Sequence, residues 1–154
     1  MNYTELEDPI GGSKYRIGVM DAMTQFHVSR RLAPLIASYG VSLSQIVGTL
    51  GKKKISDEQH QNVFGPVVEI MAAMKDADCE FIIFSCLRVT QRQVGESWAA
   101  VSLGPGKLMF EDLDLQGMIR LVVEVVKSNL GPFILELLGG LTPAPSSEAP
   151  APAA

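Results

Sequence analysis

The 154-residue sequence predicts a mainly α fold, a compact multi-helix domain with a short β-hairpin or extended excursion near residues 97–110. Three observations carry that expectation. Apolar residues recur at three- and four-residue spacing through several long stretches, the stripe expected of helices. Two of these stretches, Cys79–Gln91 and Leu115–Asn129, are apolar around so much of their circumference that they belong at the centre of a core. The helical spacing lapses only between Gln93 and Asp112, where apolar runs flank Gly104-Pro105-Gly106. A hydrophobic content of 47% supplies one core, and 19% charged residues is too little for a disordered chain.

Taken in order, residues 1–14 read as a flexible lead-in, because Pro9, Gly11 and Gly12 fit no regular element. Tyr15–Val19 alternates briefly, a short strand at most. Asp21 is placed to cap a helix over Ala22–Tyr39, whose Val28, Leu32, Leu35, Ile36 and Tyr39 share a face. Pro34 predicts a kink or break near Arg30-Arg31, since a mid-helix proline costs ~3 kcal/mol. Gly40 ends this segment, and Ser42 caps a short second helix carrying Leu43, Ile46, Val47 and Leu50. Lys52-Lys53-Lys54 then reads as a solvated loop.

Ser56 starts the next helix, with Asp57 and Glu58 near its positive end and Val63, Val67, Ile70, Met71 and Met74 on its apolar side. Gly65-Pro66 predicts a bend in it or two shorter helices. Asp76-Ala77-Asp78 caps the broadly apolar Cys79–Gln91 helix. Beyond the 97–110 excursion, Asp112 or Asp114 caps the Leu115–Asn129 helix. Its thin polar stripe holds an Arg120–Glu124 pair at i, i+4. So narrow a wet face predicts self-association through this helix or the Phe133–Leu138 turns that follow the break at Gly131-Pro132. The helical domain therefore spans 15–141, and 142–154 reads as a disordered Pro/Ala-rich tail.

Composition and motifs exclude several functions. A net charge of −4 argues against nucleic-acid binding, which needs a clustered basic excess. No segment has the length and apolarity of a membrane span, and the acidic, polar start does not resemble a signal peptide. Cys79 and Cys86, seven apart, are too distant on a helix for a disulfide and match no zinc spacing. His27 and His60 have no ligand partner at i+3 or i+4, and no phosphate loop or nucleophile elbow occurs. The carboxylates Glu111, Asp112 and Asp114 are accounted for by helix capping. The residues thus name no catalytic group, metal or cofactor. Trp98, the single tryptophan, reads as a lid over the core or a partner-binding anchor. Met118, Val122 and Phe133 are further candidate partner contacts on apolar helical faces, where methionine suits an adaptable surface.

Three segments resemble a known family. YRIGVMDAMTQFHVSRRLAPLIAS (Tyr15–Ser38), MKDADCEFIIFSCLRVTQRQVGESWA (Met74–Ala99) and LMFEDLDLQGMIRLVVEVVKSNLGPF (Leu108–Phe133) are similar to the tail assembly chaperones of long-tailed bacteriophages and prophages. The resemblance implies a non-enzymatic factor in the host bacterial cytoplasm that is absent from the mature virion. It implies that the factor binds the tape measure protein, helps recruit tail tube subunits, and in many systems has a frameshifted longer form. Two other readings remain at this point: a small helical adaptor or scaffold unrelated to phage tails, and an enzyme gathering His27 or His60 with carboxylates from separate helices.

Overall fold

The computed structural model describes residues 2–50 and 57–141. The chain runs β1 (Thr4–Glu5), β2 (Tyr15–Ile17), α1 (Ala22–Leu50), α2 (Asp57–Ala72) and α3 (Asp76–Arg88). It continues as β3 (Thr90–Val94), β4 (Ser97–Ala100), β5 (Ser102–Gly104), β6 (Lys107–Leu108) and α4 (Leu115–Leu141). The mainly α expectation is corrected. Helix makes up 55% of the chain, but the strands form a four-stranded and a two-stranded antiparallel sheet, so the fold is mixed α/β. The Lys52–Lys54 loop, the Ser56 cap and the 142–154 tail lie outside the described residues.

The larger sheet has the order β1-β2-β3-β4, and its central pairing joins Tyr15, Arg16 and Ile17 to Arg92, Gln91 and Thr90. Residues 90–94 (TQRQV) span the expected end of the Cys79–Gln91 helix and the point where helical spacing lapses. They form a strand because their inner face is satisfied by polar chemistry. Arg92 donates twice to Asp112, each bond 2.8 Å, and its guanidinium lies 4.5 Å from the centre of the Phe110 ring. Tyr15, on the same face and paired in register with Arg92, is buried. Burial raises the Tyr15 phenol above its usual 10.0, while Arg92 holds the Asp112 carboxyl below 3.8.

Asp112 is therefore engaged in a strand contact, and only Asp114 acts as the cap, accepting from the Gly117 N–H at 2.8 Å. A carboxylate whose folded pKa is depressed stabilises the fold above its unfolded pKa. That contribution is lost as pH falls through the folded value. Acid titration of stability should show this loss below about pH 4, and Asp112→Asn should remove that component from the profile.

The expected hairpin at Gly104-Pro105-Gly106 forms between β5 and β6, with Gly106 at φ 73°. The strand Ser97–Ala100 pairs with β3, across a two-residue turn in which Gly95 takes φ 62°. Residues 2–14 are also drawn in. Thr4 and Glu5 pair with Ile17 and Arg16, and Ile10 is a core residue.

None of the three prolines breaks its helix. α1 runs through Pro34 and past Gly40, α2 through Pro66, and α4 through Pro132 and Gly139-Gly140. The cost of a missing N–H is offset where both flanks are anchored. On α4, Leu130 and Ile134 are buried on either side of an exposed Pro132. α3 ends earlier than expected, at Arg88, because its exit is captured by the sheet. The Thr90 hydroxyl donates to the Cys86 carbonyl at 3.0 Å, and the Gly18 N–H to the Val89 carbonyl at 2.8 Å.

The core joins β2, α1, α3 and α4 through Tyr15, Val28, Ile82, Cys86, Leu87, Leu121, Val122 and Val125. The 115–129 stretch that looked too apolar for an exposed helix thus buries Leu121, Val122 and Val125 within the chain itself. On its polar side the ion pair is Glu124–Lys127 at 3.2 Å.

Asn129 fixes the turn between β2 and α1. Its Oδ1 accepts from the Met20 N–H at 2.8 Å, and its Nδ2 donates to the Gly18 carbonyl at 3.3 Å. Removing it strands a backbone donor and a carbonyl over a largely buried site. Asn129→Ala should cost about 2–3 kcal/mol, seen as a lower denaturant midpoint with an unchanged slope.

Candidate functional site

An entirely apolar groove opens where the four helices meet. Leu32 of α1, Val67, Ile70 and Met71 of α2, Met74 of the turn that follows, and Cys79 and Ile82 of α3 form one side. Val122, Val123, Val126, Gly131 and Ile134 of α4 form the other, with Lys127 at the rim. The cavity holds about 120 Å3. A closed apolar cavity of about 150 Å3 stays dry and takes a benzene ring, so this groove suits one bulky apolar side chain.

Local sequence explains the walls. Val67, Ile70 and Met71 fall at helical spacing on α2, Met74 sits in the turn just after it, and Val122, Val123 and Val126 fall at helical spacing on α4. α1 and α3 are held together by an ion pair between Arg31 Nε and Asp78 Oδ1 at 3.1 Å, with the Arg31 guanidinium 4.0 Å from the Phe81 ring centre. Cys79 faces the groove, and burial followed by the nearby Asp76 and Glu80 carboxylates raises its thiol pKa. Cys86 is fully buried and its thiol pKa is pushed up strongly by burial. Both thiols are free. Neither is set up as a nucleophile, which needs a lowered pKa.

The candidate residues are distributed. Val122 lines the groove while also belonging to the core cluster. Met118 is partly buried against that core. Phe133 is 41% exposed on α4. Met118, Val122 and Phe133 lie at spacings that place them along one side of α4. Trp98 belongs to a different part of the molecule. It is half-buried on the outer face of the large sheet, with the Arg16 guanidinium 4.5 Å from its ring centre and 4.2 Å from that of Tyr3. The lid-over-the-core reading of Trp98 does not fit that position.

Sequence reading had marked Met71 and Met74 as an apolar stripe but could not show that α4 faces it. It also missed the Tyr3–Arg16–Trp98 stack, which joins residues far apart in the chain. The catalytic alternative gains no site. His27 Nδ1 accepts from Arg30 Nε at 3.1 Å, and its ring packs edge-on against Phe26 and Phe81. The side chain of His60 lies outside the described ones. Among the described residues no cluster of His, Cys, Asp or Glu could hold a metal ion, and no helix is long and apolar enough to cross a membrane.

No curated protein and no solved structure matches the chain. A family model does, over residues 11–142, a range that takes in the large sheet from β2 onward and every helix lining the groove. The chain belongs to the phage tail assembly chaperone (TAC) family.

Proposed function

We propose that the groove binds apolar helical segments of the tape measure protein and keeps that protein soluble until the tail tube forms around it. The observation that carries this reading is the groove itself, lined by apolar side chains from four helices and including two methionines. Family membership supports a tail assembly role without catalysis. An amphipathic helix laid into such a groove presents anchors at i, i+3, i+4 and i+7. Methionine's flexible, polarizable side chain lets one groove accept anchors of different shape.

In this reading Val122 contributes through the groove wall, and the exposed Phe133 extends the contact along α4. Met118 supports the wall from beneath, and Trp98 serves a separate contact on the sheet. Several copies line one long client, so that individually weak contacts add by avidity. The loaded complex helps recruit tail tube subunits in the host bacterial cytoplasm, and the chaperone is left out of the mature virion.

The test is co-expression with the tape measure gene of the same operon. The client should move from the insoluble to the soluble fraction and be recovered with the chaperone by pull-down. Equal insolubility with and without this chain, and no recovered complex, defeats the proposal.

A further inference from the structure

We propose that the β4 edge of the large sheet pairs with β4 of a second copy of this chain, joining two four-stranded sheets into one of eight strands. β4 is the last strand in the order β1-β2-β3-β4, and among the described residues no strand pairs with its outer side. The hydrogen-bonding phase of that edge is fixed by two bonds. The Val101 N–H donates to the Thr90 carbonyl at 3.0 Å, and the Gln93 N–H donates to the Lys14 carbonyl at 2.9 Å. Gln93 therefore addresses β2, while Thr90, Arg92 and Val94 address β4. Since Arg92 pairs with Ala99 and Val94 with Ser97, those two β4 residues are bonded inward. Trp98 and Ala100 point their N–H and carbonyl groups outward.

These outward groups are self-complementary. An antiparallel twofold centred on Ala99 sets Trp98 opposite Ala100 of the second copy and Ala100 opposite its Trp98. Four backbone hydrogen bonds result. The axis leaves the same patch on each partner, the closed arrangement typical of dimers. The edge stops at the β5–β6 hairpin, where the Met109 N–H donates to the Val101 carbonyl at 2.9 Å. The Trp98 ring leans inward across the sheet to Arg16, and the other residues at the centre of the edge are alanines.

The two edges of the sheet also differ in protection. β1 is two residues long and lies among Glu5, Glu7 and Asp8, which discourage pairing through charge. Ser97-Trp98-Ala99-Ala100 has no charge, proline or glycine to do so. A second copy is the occupant that matches this edge in length, phase and absence of charge. This pairing does not depend on the groove or its client.

Sedimentation equilibrium of the full chain should show a dimer. Ala100→Pro removes an N–H that the fold does not use, so it should weaken the dimer about tenfold or more while leaving circular dichroism and thermal midpoint near wild type. Register is read by cysteines under mild oxidation, with wild type as the baseline for Cys79 and Cys86. Ala99→Cys faces its own copy in a non-hydrogen-bonded pair, about 4.5 Å between Cα atoms, and should form a disulfide-linked dimer. Ser97→Cys sits four residues out of register with its own copy, about 13 Å away, and should not. A wild-type chain that stays monomeric at high micromolar concentration overturns the proposal. So does a folded Ala100→Pro variant with undiminished dimer, or Ser97→Cys cross-linking as readily as Ala99→Cys. A monomer whose β4 edge is taken by a strand from another tail protein also overturns it. Should Ala100→Pro fail to fold, the cysteine pair decides alone.

Discussion

Val122→Asp should unfold the protein. Val122 is 5% exposed and packed in the core cluster with Leu121 and Val125, and the groove it lines is apolar apart from Lys127. A carboxylate placed there is surrounded by the apolar core. It must either stay ionised in a poorly solvated site or take up a proton, and both cost several kcal/mol. Whole domains are stable by only about 5–15 kcal/mol. The expected result is a lost or broadened thermal transition and a weak near-ultraviolet circular dichroism signal. A variant that melts at the wild-type temperature would show that α4 does not bury this side chain. Loss of client binding in Val122→Asp is thus no evidence of contact, although Val122 lines the groove.

Gly131→Leu separates contact from folding. Gly131 lines the groove, and a Cβ built on it meets nothing within 4 Å. A leucine there has open space to enter and a volume comparable to the cavity. Its gain in helix propensity over glycine, about 0.8–1 kcal/mol, is opposed by the crowding of a Cβ against the ring of the following Pro132. The variant should keep a cooperative thermal transition and a wild-type circular dichroism spectrum and yet leave the tape measure protein insoluble on co-expression. Undiminished client solubility with a folded Gly131→Leu chaperone would locate binding elsewhere on the molecule.

How far the sequence discloses this fold depends on the element. Cys79–Arg88 and Leu115–Asn129 are legible because apolar residues at helical spacing have one physical cause, a face turned to a core. The β5–β6 hairpin is legible because Pro105 and Gly106 demand a turn. β3 is not legible. Its inner face is filled by Arg92, whose partners Asp112, Phe110 and Tyr15 arrive from other parts of the chain. Prolines mislead for a related reason. The rule that they break helices is local, and Leu130 and Ile134 on either side of Pro132 are held by contacts that no local rule contains.

The groove was half visible. Met71 and Met74 announced an apolar stripe, but only tertiary packing sets Val122, Val123 and Val126 across from it. Periodicity reports which side of a helix is dry and not which helix dries it.

The pairing of β2 with β3 joins residues 15–17 to residues 90–92, and this has a consequence for biosynthesis. A ribosome adds about 5–20 residues per second. β2 therefore leaves the exit tunnel several seconds before its partner exists, and α4 follows later still. During that interval the N-terminal strands have no sheet to join, and α1 presents Val28 and Leu32 without the helices that cover them. Contacts between distant parts of a chain are slow to form, because a long loop must close first. The nascent chain is therefore itself exposed to aggregation until its last helix is made. The domain becomes competent all at once, when α4 completes the core and the far wall of the groove together.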